Sequence, residues 1–255
     1  MTMKKPLAID LFCGIGGATE GFLTEGYDCI GLDIQRHVYG EHAYPAQLWI
    51  QDIKTVHGSQ LRYADFIWAS PPCTEYSWMA MPWSRAKQVR RALRGEDDFP
   101  EGYKGSRTLS DLNALFDACF RIQREAIEAA GRHIPMVVEN VRGAQEWVGR
   151  SRWNYGSFHL WGDVPALMPV ASKATKTKGN VNKRNGHGHT RHLTNQRESD
   201  AVKCGGDWFN GSEPSLMGHH SSKSTSRKAA STLIAKIPMP LSRHIASVYY
   251  PKGVE

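Results

Sequence analysis

Two consecutive prolines constrain this chain more than any other feature. Pro71-Pro72 follow the apolar run Phe66-Ile67-Trp68-Ala69, itself preceded by Asp65, and that run has the length and composition of a short buried strand. Neither proline has an N–H to give to a sheet ladder, so the strand must end there. Cys73 therefore falls at the mouth of a strand rather than inside the core. In an open parallel sheet, ligands and chemistry collect at the carboxyl ends of strands. A thiol in that position is placed to act as a nucleophile when its thiolate is stabilised. An isolated buried Cys, by contrast, is an inert packing residue.

Other strand ends carry chemistry of the same kind. Pro6 to Phe12 is an apolar run ending in Cys13-Gly14-Ile15-Gly16-Gly17, with a helical stretch, Ala18 to Thr24, behind it. That is strand, glycine turn, helix, a unit whose free N–H groups face a ligand. Tyr27 to Leu32 is the next strand and ends in Asp33. A carboxylate there, about twenty residues beyond a glycine turn, suits the two hydroxyls of a ribose. The turn has no basic residue at the phosphate position, which favours a nucleoside without pyrophosphate. Leu48-Trp49-Ile50 leads to Asp52-Ile53, where Asp52 either accepts the exocyclic amine of an adenine or caps a helix. The three features at successive strand ends together point to an adenosine-type site.

Leu109 to Ala130 has apolar residues at helical spacing, with Thr108 or Ser110 as cap and Gly131 as stop. Pro135 to Val138 is then a strand closing with Glu139-Asn140-Val141, which puts an acid at the ligand edge as a partner for Cys73. Tyr155 to Trp161 alternates as one further strand. Between Thr74 and Thr108 the periodicity is lost, except for a helix over Ser84 to Arg94. Aromatic and basic residues there suit a loop closing over a nucleic acid strand, or a solvated charged helix.

The chain has 255 residues, a formal net charge of +7 and five scattered Cys. Its length suits one large α/β domain or a domain with a small appendage. The excess of positive charge favours a polyanionic partner. The odd, scattered Cys fit a reducing cytoplasm better than a disulfide framework. Neither a membrane span nor a secretion signal is evident. From Ser172 to Lys228 the composition turns basic and polar, as in a phosphate-binding or disordered loop. His187, His189, His192, Cys204, His219 and His220 lie within it, but without paired C-x-x-C spacing no metal is expected.

Three of these motifs resemble signatures of the cytosine-5 DNA methyltransferases. They are Asp10-Leu11-Phe12-Cys13-Gly14-Ile15-Gly16-Gly17, then Pro71-Pro72-Cys73 with Tyr76-Ser77, then Glu139-Asn140-Val141, in the family's order. Ile237-Pro238-Met239-Pro240-Leu241-Ser242-Arg243 resembles the family's last motif, although the family's Gly-Asn is Ile234-Ala235 here. The resemblance implies a Rossmann-like sheet binding S-adenosylmethionine, with Phe12 against the adenine, Asp33 on the ribose and Asp52 on the amine. Asp10, Gly14, Ile15, Gly16, Gly17, Ile34, Ile53 and Pro71 complete that expected pocket.

The resemblance further implies that Cys73 attacks cytosine C6, that Glu139 acts at N3 and that Asn140 holds the loop bearing Cys73. No clear Gln-x-Arg-x-Arg motif follows Glu139; Arg150 and Arg152 are the candidates for its arginines. Ser77, Arg85, Lys87 and Arg90 near Cys73 are expected DNA contacts, with Lys183, Arg184, Arg191 and Arg197 in the basic stretch. The expected organisation is an α/β catalytic domain over residues 1–165, a small basic target-recognition insertion over 166–228, and a C-terminal segment, 229–255, returning to the catalytic domain. The expected activity is methylation of cytosine C5 in double-stranded DNA by a cytoplasmic enzyme, of the kind found in restriction-modification, with no obligate protein partner. Three alternatives stand beside it: the same chemistry on RNA, a non-catalytic DNA-binding protein on a methyltransferase scaffold, and transfer of a different group from a modified cofactor.

Overall fold

A seven-stranded mixed sheet in the order β5-β2-β1-β6-β7-β9-β8 organises the computed structural model, which describes residues 4–73, 76–77, 83–98, 108–169, 228–229, 232–233 and 235–251. Its strands are β1 (Leu7–Leu11), β2 (Asp28–Asp33), β5 (Gln47–Ile50), β6 (Phe66–Ala69), β7 (Met136–Asn140), β8 (Trp153–Tyr155) and β9 (Phe158–Gly162). A separate small ribbon pairs β3 (Val38–Tyr39) with β4 (His42–Ala43). The helices are α1 (Gly17–Thr24), α2 (Trp83–Leu93), α3 (Leu109–Ala130), α4 (Gln145–Val148) and α5 (Met239–Tyr249).

The central strands read as continuous apolar runs because both faces are covered. On one face Ile9, Leu11, Ile67, Ala69 and Val138 meet Phe116, Cys119, Ile122 and Ala126 of α3, with Val89 of α2. On the other, Ala8, Phe66, Trp68 and Val137 meet Phe22 of α1 and Leu241, Ile245 and Ala246 of α5. Phe22 and Phe66 stack with ring centroids 5.0 Å apart. Each such ring contributes about 2–3 kcal/mol by leaving water.

The chain moves outward from β1 through β2 to β5, then returns to β6 on the opposite side of β1. The direction of strand order thus reverses between β1 and β6. Ligands in such sheets bind in the crevice outside the carboxyl ends at this switch point. The glycine turn after β1 and the Pro-Pro break after β6 are the two loops that flank it.

Helix α3 begins at Thr108, whose side chain and that of Asp111 cap one another's N–H groups, and it stops at Gly131 with φ 65°. Tyr155 to Trp161 differs from the single strand expected. Gly156-Ser157 is a two-residue turn with φ 58° at Gly156, so the segment folds back as a hairpin, β8 against β9. Strand β9 then runs antiparallel to β7, between β7 and β8. Period-two alternation continues through such a turn, which hides it from a pattern reading. Residues 170–227, most of the expected insertion, lie outside the described residues. No helix among the described residues is long and apolar enough to cross a membrane.

Candidate active site at the switch point

Phe12 lies just beyond β1 with φ 59°, the sole non-glycine with positive φ among the described residues. A bulky residue in this left-handed conformation costs about 1–2 kcal/mol, and such strain gathers at functional sites. The Phe12 and Cys13 N–H groups both donate to the Leu32 carbonyl, at 2.8 and 3.3 Å, which holds the turn against β2.

The glycine turn divides into one open residue and two packed ones. A Cβ at Gly14, where φ is 53°, would meet nothing within 4 Å. At Gly16 it would lie 2.4 Å from Pro45 Cδ, and at Gly17, 2.6 Å from the Ile237 backbone nitrogen. Ile15 is buried. These contacts hold Gly16 and Gly17 in close packing and the Ile15 side chain in the core.

Asp33 ends β2 with its carboxylate between two donors. Oδ2 accepts the Gly14 N–H at 3.0 Å, and Oδ1 lies 3.3 Å from His37 Nε2. Nothing in the sequence pattern singles out His37 except its position four residues on. Asp52 caps a short 3-10 turn by accepting the Lys54 N–H at 2.9 Å. Ile53 is 2% exposed and packs in the core. Ile34 and Ile50, by contrast, are exposed at the ends of β2 and β5. Open Gly14, left-handed Phe12, exposed Ile34 and the two carboxylates fit an adenosine group, with apolar surface for the base and acceptors for hydroxyl and amine donors.

Asp10 of the glycine-turn motif is engaged inside the fold. It is buried within β1 and accepts the Thr19 hydroxyl of α1 at 2.7 Å, and Thr19 Oγ1 lies 2.8 Å from Tyr44 OH. Burial pushes the Asp10 carboxyl up to about 7, opposed by the Thr19 hydrogen bond and reinforced by the charge of Asp33. This chain of three side chains fixes α1 and the β4–β5 connection to the sheet.

The second half of the site is built on β6 and β7, which run parallel with Ala69 opposite Val138. Ser70 and Pro71 therefore emerge beside Glu139 and Asn140. Asn140 Nδ2 donates to the Pro71 carbonyl at 2.9 Å, and its Oδ1 accepts the Val141 N–H at 2.8 Å. Glu139 and Asn140 are both buried. Cys73 is half-buried, and its carbonyl accepts the N–H groups of Tyr76 at 3.0 Å and Ser77 at 2.8 Å. Tyr76 OH donates toward Leu112 O and Asn113 Oδ1, at 3.2 and 3.1 Å, while Asn113 Nδ2 reaches the Trp147 carbonyl at 3.1 Å. Tyr76 and Asn113 thus tie the turn bearing Cys73 to α3 and α4.

The remaining expected contacts lie on α2, before β8 and outside the described residues. Arg150 and Arg152 are exposed before edge strand β8, with β9 lying between β8 and Glu139. Arg152 sits near Tyr249 of α5, where its charge opposes the rise in that phenol's pKa. The Arg152 N–H donates to the Leu160 carbonyl at 2.8 Å, and Leu160 is the register partner of Glu139, so Arg152 lies two strands from the acid. Arg90 of α2 bonds Glu146 at 3.0 Å, so this candidate DNA contact is already paired. Arg94 grips Glu96 through two bonds, and Arg91 lies 3.8 Å from Asp97. Arg85 is half-buried and Lys87 exposed on the same helix. Lys183, Arg184, Arg191 and Arg197 lie outside the described residues.

The glycine turn, Asp33, Asp52 and the Pro-Pro-Cys loop all fall within residues 7–82, which match the family of C-5 cytosine-specific DNA methylases. The family is S-adenosylmethionine-dependent and acts on nucleic acid. The matched segment stops short of Glu139, whose placement is given by the sheet geometry alone. No curated protein sequence matches the chain.

Among solved structures, an E. coli prophage-encoded protein described as a DNA modification methyltransferase is 20% identical, with a TM-score of 0.35, covering 55% of this chain and 33% of that one. Dnmt2 methyltransferase of S. pombe is 14% identical, with a TM-score of 0.34 and coverage of 57% and 37%. The Entamoeba histolytica methyltransferase EhMeth is 15% identical, with a TM-score of 0.40 and coverage of 66% and 57%. The chain spans between a third and just over half the length of these structures.

Proposed function

We propose that this protein methylates C5 of a flipped-out cytosine in double-stranded DNA, with Cys73 as nucleophile and Glu139 as its acid partner. The observation that carries this reading is the Asn140–Pro71 hydrogen bond. It fastens the loop leading to Cys73 onto the strand that presents Glu139, so nucleophile and acid share one edge of the sheet with the adenosine-type pocket.

Cytosine C5 is a poor nucleophile. Addition of the Cys73 thiolate to C6, with Glu139 hydrogen-bonding or protonating N3, makes C5 enamine-like. Bound S-adenosylmethionine supplies an electrophilic methyl group. Loss of the C5 proton and elimination of Cys73 restore the aromatic ring and return the thiolate. Those ring atoms are out of reach in a stacked duplex, so the base must leave the stack. Net charge of +7 supports a polyanionic substrate, and the basic residues of 166–228 are assigned to the target groove.

The test is transfer of label from S-adenosylmethionine to duplex DNA and to RNA in parallel, with Cys73→Ser as control. Label on C5 of DNA cytosine, absent in the variant, is the expected result. Label on RNA alone would keep the chemistry and overturn the substrate. Cofactor binding without transfer to either would favour a non-catalytic binding protein.

A further inference from the structure

The amino-terminal edge of the sheet carries a groove of about 800 Å³, at the end opposite the proposed active site. Its walls come from four separate stretches. Lys4 and Lys5 precede β1, Arg62 and Tyr63 precede β6, Arg132 follows α3, and Tyr250 follows α5. Strand β1 has five residues, which separates the two edges by about 17 Å. A base held at the carboxyl edge does not occupy this groove.

Among the described residues, four cations line the groove against one carboxylate, Asp65. Asp65 is already engaged, accepting the Leu7 N–H at 2.9 Å and Arg132 at 3.1 Å. Arg132 also donates to the Ala64 carbonyl at 2.7 Å, so this pair serves the wall itself. The charge presented to a ligand comes from Lys4, Lys5 and Arg62. Among the described residues, Lys5 has one distant acid, Asp28 at 3.9 Å, and both partners are well exposed.

Aromatic surface accompanies the charge. Tyr63 is 64% exposed and Tyr250 is 40% exposed. The Arg62 guanidinium lies over the Tyr63 ring, 4.9 Å from its centre, so the cation occupies one face of the ring and a base would stack on the other. Tyr250 is held edge-on by Tyr27, with centroids 5.3 Å apart. The carboxyl end of α3 opposes an anion on the Ala129 and Ala130 side. That confines phosphates to the Lys4, Lys5 and Arg62 side.

Positive groove plus exposed stacking surface is the pattern that binds single-stranded nucleic acid. We infer that this groove is a second, non-catalytic site for a single nucleic acid strand, with phosphates on Lys4, Lys5 and Arg62 and a base stacked on Tyr63. The inference rests on the proposed function only for the presence of a nucleic acid. Charge and ring placement carry the rest.

The experiment uses the full chain and a labelled ten-nucleotide oligo(dT), with binding followed by fluorescence anisotropy across a salt series. Tyr63→Ala should weaken binding about five- to tenfold, the loss of one stacked base. Lys4→Glu with Arg62→Glu should weaken it further and make the salt slope shallower by about one to two, as two phosphate contacts are lost. An oligonucleotide carrying 5-iodouracil should crosslink to peptides containing Tyr63 or Tyr250. Unchanged affinity and slope in these variants, or crosslinks confined to the loop around Cys73, would overturn the inference. Methyl transfer to a short duplex is measured in parallel on the same variants and on Cys73→Ser. Crosslinks at Tyr63 in a protein that transfers no methyl group would sink the catalytic reading and leave the second site standing. Transfer with no crosslink at Tyr63 or Tyr250 would do the reverse.

Discussion

The Asp33 carboxylate accepts the Gly14 N–H at 3.0 Å, so the group suited to ribose hydroxyls also fixes the turn beside them. A ligand at this edge must share an acid that already serves the fold. Asp33→Ala should therefore weaken S-adenosylmethionine binding about tenfold or more and speed amide exchange at Gly14. Calorimetry and hydrogen exchange read the two effects, and loss of affinity with unchanged Gly14 protection would separate the roles.

Asn140 holds Pro71 through a donor, and only a donor can replace it. Asn140→Ala and Asn140→Asp should both reduce methyl transfer about tenfold to a hundredfold, with cofactor affinity little changed. Each leaves a buried carbonyl without its partner, which costs about 1–3 kcal/mol and should lower the melting temperature. Full activity in Asn140→Asp would show that the bond is not what positions the loop.

Asp10 makes stability depend on pH. Its carboxyl is raised from 3.8 to about 7 in the fold, so the folded state binds the extra proton between these values. Stability from this group is fully present below about pH 4 and is lost as pH rises through 7, with a slope of at most about 1.4 kcal/mol per pH unit. Asp10→Asn should remove this slope. Its melting temperature relative to the parent should rise between pH 5 and pH 8; a constant difference would contradict the assignment.

Close approach of α1 and α5 depends on a missing side chain. A Cβ at Gly21 would lie 2.1 Å from Ser242 Oγ and 2.7 Å from the Arg243 backbone nitrogen. Gly21→Ala should cost about 1–3 kcal/mol by overpacking, read by urea denaturation. Adding Ser242→Gly should recover part of the loss, because it removes the nearer atoms and leaves the backbone.

Glu139→Gln tests the acid directly. Turnover should fall by about a hundredfold or more, in line with loss of a positioned acid, with S-adenosylmethionine affinity little altered. An unchanged rate would take Glu139 out of the chemistry.

Much of this protein is determined by local sequence. Pro71-Pro72 end β6 because they cannot donate to a ladder, and β6 indeed covers Phe66–Ala69. The Thr108 cap and Gly131 stop set the ends of α3, again through local backbone groups. Long-range pairing decided the rest. Gly16 and Gly17 look like ligand-facing glycines in sequence, but Pro45 and Ile237, distant in the chain, press on them in the fold. Asp10 sits in a motif yet turns inward to Thr19, because β1 is covered by α1 on that face. Arg152 comes to lie two strands from Glu139 through Leu160 of β9, a relation set by the hairpin and its pairing with β7. Local propensity and backbone chemistry fix where elements begin and end, whereas which residues share a site depends on strand order, which no single segment encodes.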